Sequence, residues 1–167
     1  EFASQRLALA VGARPRHLDI PGNEHQGVTY LRNADDVLAL KAMIEGVKDA
    51  VVIGGGFIGL ETACSLHALG KNVTVLEHGP RLIGRAVGEE TADFFLKQHR
   101  NNGINIVLES RLKQFVGEDG QVTGVELEDG TVIETQLVVV GIGVIPNTEL
   151  AENLGLEVNN GIVVDSH

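Results

Sequence analysis

The sequence predicts an α/β fold: a parallel sheet covered by helices, with an antiparallel three-stranded β-meander in place of one crossover helix. Three observations carry this. Residues 50–61, Ala50-Val51-Val52-Ile53-Gly54-Gly55-Gly56-Phe57-Ile58-Gly59-Leu60-Glu61, run from apolar, mostly β-branched residues into a glycine cluster and then a helical pattern. Residues 111–135 are strand-like runs broken by Asp119-Gly120 and Asp129-Gly130, both tight-hairpin signals. Leu137 to Val140 is wholly apolar, as a strand buried on both faces of a parallel sheet must be.

In chain order, the stretch from Gln5 to Arg16 contains a short apolar strand that Gly12 and Pro15 stop. A loop rich in turn formers follows, from Ile20 to Gly27, then a brief strand over Val28–Leu31. Asn33 is placed to cap a helix in which Val37, Leu40, Ile44 and Val47 recur at helical spacing, with Gly46 ending it. The helix after the glycine cluster carries Ile58, Ala63, Leu66 and Leu69 and stops at Gly70, with Cys64 expected as a buried packing residue. Asn72 to Leu76 is the next strand, ending in Glu77. A helix then spans Gly88 to Asn101, its early Glu89, Glu90 and Asp93 and late Lys97 and Arg100 matching the helix dipole rather than forming a catalytic pair. Phe94 and Phe95 are expected to face the core, Asn102-Gly103 to end the helix, and Ile104 to Leu108 to form a third parallel strand. Within the meander, Val125 and Leu127 alternate with Glu126 and Glu128, as in a half-exposed strand. After Val140, Gly141-Ile142-Gly143-Val144-Ile145-Pro146-Asn147 is a second glycine-rich loop at the carboxyl edge of the sheet.

Composition excludes several functions. The chain has 167 residues, 43% hydrophobic, enough for one domain with a substantial core. Its longest apolar stretch, Leu137 to Ile145, is too short to span a membrane, and no leader pattern opens the chain, so a cytoplasmic protein is expected. One cysteine permits neither an internal disulfide nor a Cys-x-x-Cys pair. A net charge of −10 argues against nucleic acid and requires that any anionic ligand be held by local dipoles and backbone donors. The histidines show no ligand spacing and no nucleophilic triad is visible, so no metal and no nucleophile are assigned.

The glycine cluster reads as G-x-G-x-x-G at Gly54, Gly56 and Gly59, the turn that opens a Rossmann-like three-layer NAD-binding domain. Gly54 turns the chain out of the strand, Gly56 lets a pyrophosphate approach the backbone, and Gly59 lets the helix pack on its own strand. The helix start then offers unpaired N–H groups and a positive dipole end. Glu77 lies 23 residues after Gly54, at the tip of the second strand. A carboxylate there takes both hydroxyls of an adenosine ribose and repels a 2′-phosphate, so NADH is expected over NADPH.

The order of elements, the stretch Gly54 to Glu61, the Asp-Gly hairpins and Val139-Val140-Gly141-Ile142-Gly143-Val144-Ile145-Pro146-Asn147 resemble the NADH domain of FAD-dependent pyridine nucleotide-disulphide oxidoreductases. Within that superfamily the chain looks closest to ferredoxin and rubredoxin reductases of oxygenase systems and their apoptosis-inducing-factor relatives. Glu77-His78-Gly79-Pro80-Arg81-Leu82-Ile83-Gly84-Arg85 is similar to their segment after the second strand. Where the family has Ala-Thr-Gly, this chain has Ala10-Val11-Gly12. The resemblance implies NADH, with FAD in a longer parent, and a hydride passed to flavin before electrons leave to a ferredoxin or rubredoxin-like iron–sulfur protein. It implies that Glu61 sits near the nicotinamide carboxamide as the catalytic-site acid, Arg85 near the adenosine, and Phe57 and Ile58 against the dinucleotide. Gly55 joins the cofactor turn, and Gly141, Ile142 and Gly143 line the nicotinamide side. Residues 1–27 are expected as a flavin-domain remnant and linker, 28–160 as the NAD(H)-binding domain, and 161–167 as the start of a return strand. Self-association through surface exposed by truncation is a further expectation, and the acidic charge places the basic docking patch for a ferredoxin outside this chain.

Two other readings remain beside it. A disulphide reductase or NADH oxidase of the same superfamily would place its decisive cysteines elsewhere. A regulatory NAD-sensing module would share the glycine turn and the acid, though not the meander or the Gly-x-x-Pro-Asn loop. A self-contained dehydrogenase would need its own proton relay, and nothing after residue 147 supplies one.

Overall fold

The structure, a computed structural model, describes residues 5–166. Its elements in chain order are β1 (Ala13–Pro15), β2 (Val28–Tyr30), α1 (Ala34–Met43), β3 (Asp49–Ile53), α2 (Phe57–Ala68) and β4 (Asn72–Leu76). Then come α3 (Glu89–Asn101), β5 (Asn105–Val107), β6 (Leu112–Glu118), β7 (Gln121–Leu127), β8 (Val132–Glu134), β9 (Leu137–Val140), β10 (Val144–Pro146) and α4 (Glu149–Asn153). Five strands form a parallel sheet in the order β2-β9-β3-β4-β5, and β6-β7-β8 form the antiparallel meander. The expected three-layer α/β architecture is present.

Strand alternation builds the layers. Ala50 and Val52 of β3, Val73 and Val75 of β4, Ile106 of β5, and Leu137 and Val139 of β9 face one side, where they pack against Leu40 of α1 and Leu60, Ala63 and Leu66 of α2. Their neighbours Val51, Ile53, Leu76, Val138 and Val140 face the other side and meet Phe115, Val122, Val125 and Leu127 of the meander. The meander therefore covers the sheet face that a helix would otherwise protect. Asp119 and Gly120 both take positive φ (50° and 79°), so β6 and β7 join through a two-residue turn. The second hairpin is wider, with Leu127 N–H closing on the Thr131 carbonyl and Asp129 accepting from Thr131 N–H.

Helix caps follow the sequence. Asn33 accepts from Asp36 N–H, and the Asp36 carboxylate accepts from Asn33 N–H, a reciprocal box at the start of α1. Gly46, Gly70 and Gly103, which follow the three long helices, are all at positive φ.

Several expectations are corrected. The N-terminal strand forms later than expected, at Ala13–Pro15, because its ladder partner is β10, which itself lies inside what reads in the sequence as a loop. Gln5 to Gly12 pair with no strand and Leu7 is exposed. Val37, Ile58, Leu69 and Phe94 are exposed rather than core, since each helix touches the sheet along a narrower stripe than its apolar spacing suggests. Phe95 does pack against the helix-side core. Cys64 is exposed, not buried: it lies on the outer side of α2 with Sγ 3.5 Å from Nδ1 of His99 on α3. Burial of the His99 ring holds its pKa below the ordinary histidine value. Toward the end of the chain, Ile162 makes a single bridge to Val158, and Val163 N–H donates to the Glu157 carbonyl at 2.9 Å.

The meander carries an acid-sensitive contact. Glu126 of β7 accepts from Lys113 Nζ at 2.7 Å and from Gln114, both on β6, and these two hydrogen bonds hold its carboxyl below the usual carboxylate range. A pKa lowered by folding stabilises above the unfolded value, about 4.3 for glutamate, and that contribution fades as pH falls through the lower folded value. Glu126→Gln is therefore expected to flatten the loss of stability below about pH 4.5 in acid titrations of the unfolding midpoint. An unchanged acid limb would remove this contact from the acid response.

Candidate nucleotide site at the carboxyl edge

The chain direction from β3 sets the site. From β3 the chain moves through α2 to β4 and through α3 to β5 on one flank, then returns through the meander to β9 on the other. The carboxyl ends of β3 and β9 are therefore where the strand order reverses, the crevice in which open parallel sheets take ligands. Register places Ile53 opposite both Val140 and Leu76, so Gly54, Gly141 and Glu77 are neighbours at one edge.

Each glycine of the turn has a distinct constraint. Gly54 takes φ +106°, donates to the Leu76 carbonyl at 2.8 Å, and would carry a Cβ only 2.5 Å from the Gly141 carbonyl oxygen. Gly59 packs so closely that a Cβ would lie 2.0 Å from the Gly54 oxygen. Gly55 is enclosed by the loop after β4: a Cβ would meet Leu82 at 2.6 Å and Glu77 at 3.1 Å. Gly56 differs from all three. A Cβ there meets nothing within 4 Å, and its φ of −81° suits any residue. The backbone at Gly56 thus borders open space that the fold itself does not use.

That space lies at a helix start left without compensation. Gly56 is the N-cap of α2 and offers no side chain to the first-turn N–H groups. The first turn of α2 holds no acid, whereas α1 has Asp35 and Asp36 there and α3 has Glu89 and Glu90. The positive dipole end of α2 is left for an anion, and backbone N–H groups aim at it. Phe57 and Ile58 flank it, 59% and 53% exposed, large apolar side chains that the core does not claim. These features fit the pyrophosphate and rings of a dinucleotide.

Glu77 closes the other side. Its carboxylate accepts from Gly55 N–H through Oε2 and from Gly79 N–H through Oε1, both at 2.6 Å. Two charge-assisted bonds orient the group and leave further lone pairs on each oxygen. The following loop is fastened to the turn by Ile83 N–H on the Gly55 carbonyl at 2.9 Å, with Leu82 and Ile83 buried. Ile83 does this at φ +51°, a conformation that a β-branched residue adopts only when its surroundings impose it.

The structure thus brings together Gly54, Gly55, Gly56, Gly59, Glu77 and Gly141. Ile142 is half-buried against the meander-side core, and Gly143 is exposed at φ +100°. Glu61 stands exposed on α2 one turn beyond the site, and Arg85 is exposed at the end of the loop that Ile83 anchors. Sequence reasoning passed over Ser110, whose hydroxyl and N–H both donate to the Glu77 carbonyl at 3.0 Å from 33 residues downstream. No local pattern signals such a contact. Among the described residues, no group of three or more His, Cys, Asp or Glu side chains could hold a metal ion, and no helix is long and apolar enough to cross a membrane.

Fold and crevice together define an α/β protein of the class that takes a nucleotide at a strand-order switch point. More particularly, the chain belongs to the pyridine nucleotide-disulphide oxidoreductase family, whose profile matches residues 1–167. It is 43% identical over 161 residues to rhodocoxin reductase of Rhodococcus erythropolis, covering 96% of this chain and 38% of that one. With rubredoxin-NAD(+) reductase of Pseudomonas putida it shares 40% identity over 165 residues, 99% of this chain and 43% of that one. A crystal structure of a ferredoxin reductase from Rhodopseudomonas palustris superposes with a TM-score of 0.88 at 42% identity, over 92% of this chain and 38% of that one. The chain thus spans about two fifths of the length of these relatives.

Proposed function

We propose that this chain is the NADH-binding domain of a FAD-dependent reductase that passes electrons on to a ferredoxin or rubredoxin-like protein. The observation that carries the reading is the pairing of Glu77 with the open, uncapped glycine turn: an anion-accepting helix start and a hydroxyl-accepting carboxylate stand on either side of Gly55. Residues 28–160 form the nucleotide-binding unit, and the flanks 1–27 and 161–167 go with the flavin-binding part. The likeness to ferredoxin and rubredoxin reductases supports the partner class.

In this reading the first-turn N–H groups of α2 hold the pyrophosphate against Gly56, and Glu77 accepts the adenosine ribose hydroxyls while disfavouring a 2′-phosphate. Phe57 and Ile58 pack on the dinucleotide, Gly141, Ile142 and Gly143 border the nicotinamide end, Glu61 orients the carboxamide, and Arg85 attends the adenosine. NADH, when bound, supplies a hydride that the flavin of the longer enzyme accepts. This chain contributes binding, orientation and exclusion of water.

Calorimetric titration with NADH and separately NADPH tests the reading. NADH is expected to bind more tightly. Glu77→Ala is expected to weaken NADH by about tenfold, as loss of charge-assisted hydrogen bonds does, and to narrow the gap to NADPH. Absence of binding by either nucleotide would overturn the assignment, and an unchanged ratio in Glu77→Ala would remove Glu77 from selection.

A further inference from the structure

Glu77 is held at both its ends. Its carboxylate grips the Gly55 and Gly79 amides, while its main chain is locked by the segment after β5. Glu77 N–H donates to the Val107 carbonyl at 2.9 Å, and Glu109 N–H donates to the Gly79 carbonyl at 3.1 Å. The Glu77 carbonyl accepts twice from Ser110, from its N–H and from its hydroxyl. Glu109 turns the chain into this arrangement at φ +55°, uncommon for a residue with a side chain. Ser110 is only 8% exposed, and its hydroxyl bonds to nothing else among the described residues.

We propose that Ser110 is a positioning residue for nucleotide selection, acting through Glu77 on the glycine turn. The inference rests on the reading of Glu77 as the ribose-binding acid, and goes beyond it by assigning the hold on that acid to a residue of another strand end. A carboxylate discriminates between a hydroxyl and a phosphate only if it stays where the ribose arrives. The Ser110 hydroxyl removes the freedom of the Glu77 peptide to rotate and carry the side chain off Gly55. The same contact preorganises the turn, because Gly55 N–H is fixed by Glu77 and its carbonyl by Ile83.

The experiment is a double-mutant cycle with Ser110→Ala, Glu77→Ala and both together, titrated with NADH and NADPH, each variant being checked by thermal unfolding. Ser110→Ala is expected to weaken NADH about three- to tenfold, the worth of one hydrogen bond, and NADPH less. In the Glu77→Ala background it is expected to change neither. Equal weakening of both nucleotides by Ser110→Ala, or full additivity with Glu77→Ala, would show a merely structural role and overturn the proposal. Failure of wild-type protein to bind any nucleotide would instead sink the parent reading of the site. Amide hydrogen exchange on the nucleotide-free wild type gives a measurement that needs no variant to fold. Gly55 and Gly79 N–H are expected to be protected, and exchange at the rate of open amides would also overturn the proposal.

Discussion

Gly59→Ala is expected to lower stability by about 3 kcal/mol, the cost of forcing a methyl into close-packed backbone. The physical cause is local and severe. A Cβ at Gly59 would lie 2.0 Å from the Gly54 carbonyl oxygen, and that oxygen belongs to backbone that Gly141 abuts on its other side. No flexible side chain can move aside. Relief requires α2 to lift from β3, which uncovers Leu60, Ala63 and Leu66, all buried in the helix-side core. For a chain of this size the loss corresponds to a drop of roughly 10 °C in the unfolding midpoint. Nucleotide binding is expected to fall with it, since lifting α2 carries its first-turn N–H groups out of position. A midpoint within a degree or two of wild type would show that the turn is looser than its packing indicates.

Gly56→Ala, three residues away, is expected to give the opposite pattern: stability within about 1 kcal/mol of wild type and NADH affinity reduced about 100-fold. The added methyl meets no protein atom within 4 Å, and the backbone at φ −81° accepts alanine without strain. In the proposed reading, the methyl enters the space through which a pyrophosphate reaches the first-turn N–H groups. Losing one or two charge-assisted bonds, each worth about 1.5–3 kcal/mol, accounts for the expected fall. Unfolding curves and calorimetry on the same preparation decide the matter. Retained affinity would place the phosphates elsewhere, and the two glycines together separate the motif's role in packing from its role in binding.

Much of the fold was legible because its signals are local. Asn33 and Asp36 announce a cap within one turn of chain, and Asp119-Gly120 announces a hairpin because both positions need positive φ. The apolar run of Leu137–Val140 could only belong to a strand covered on both faces, and it lies between β2 and β3. The glycine turn and its acid were legible for the same reason, since strand, turn and helix are contiguous and β4 follows directly.

What failed to be legible depends on distant partners. Val37, Leu69 and Phe94 have the spacing of core residues and are exposed, because the width of each buried stripe is set by how the helix lies on the sheet. β1 appears where β10 can pair with it, a choice made by distant residues, since Ala13 pairs with Pro146, 133 positions later. Cys64 is on the surface, its Sγ 3.5 Å from His99 Nδ1, because the sheet takes the face of α2 that carries Leu60, Ala63 and Leu66, a choice that the spacing within α2 does not dictate.

The sequence by itself thus determined the strands of the parallel sheet and the meander, the three long helices, the parallel and antiparallel character of those strands, the glycine turn after β3, and the family likeness that those motifs carry. Tertiary structure alone decided that Glu77 folds back onto Gly55 and Gly79, that Ile83 and Ser110 hold this arrangement, and that of the four glycines from Gly54 to Gly59 only Gly56 opens to empty space. Backbone angles, caps and periodicity are written in neighbouring residues, so a reader of the chain can recover them. Close approach, burial and hydrogen bonding between segments arise only once the sheet has brought their ends to a single edge.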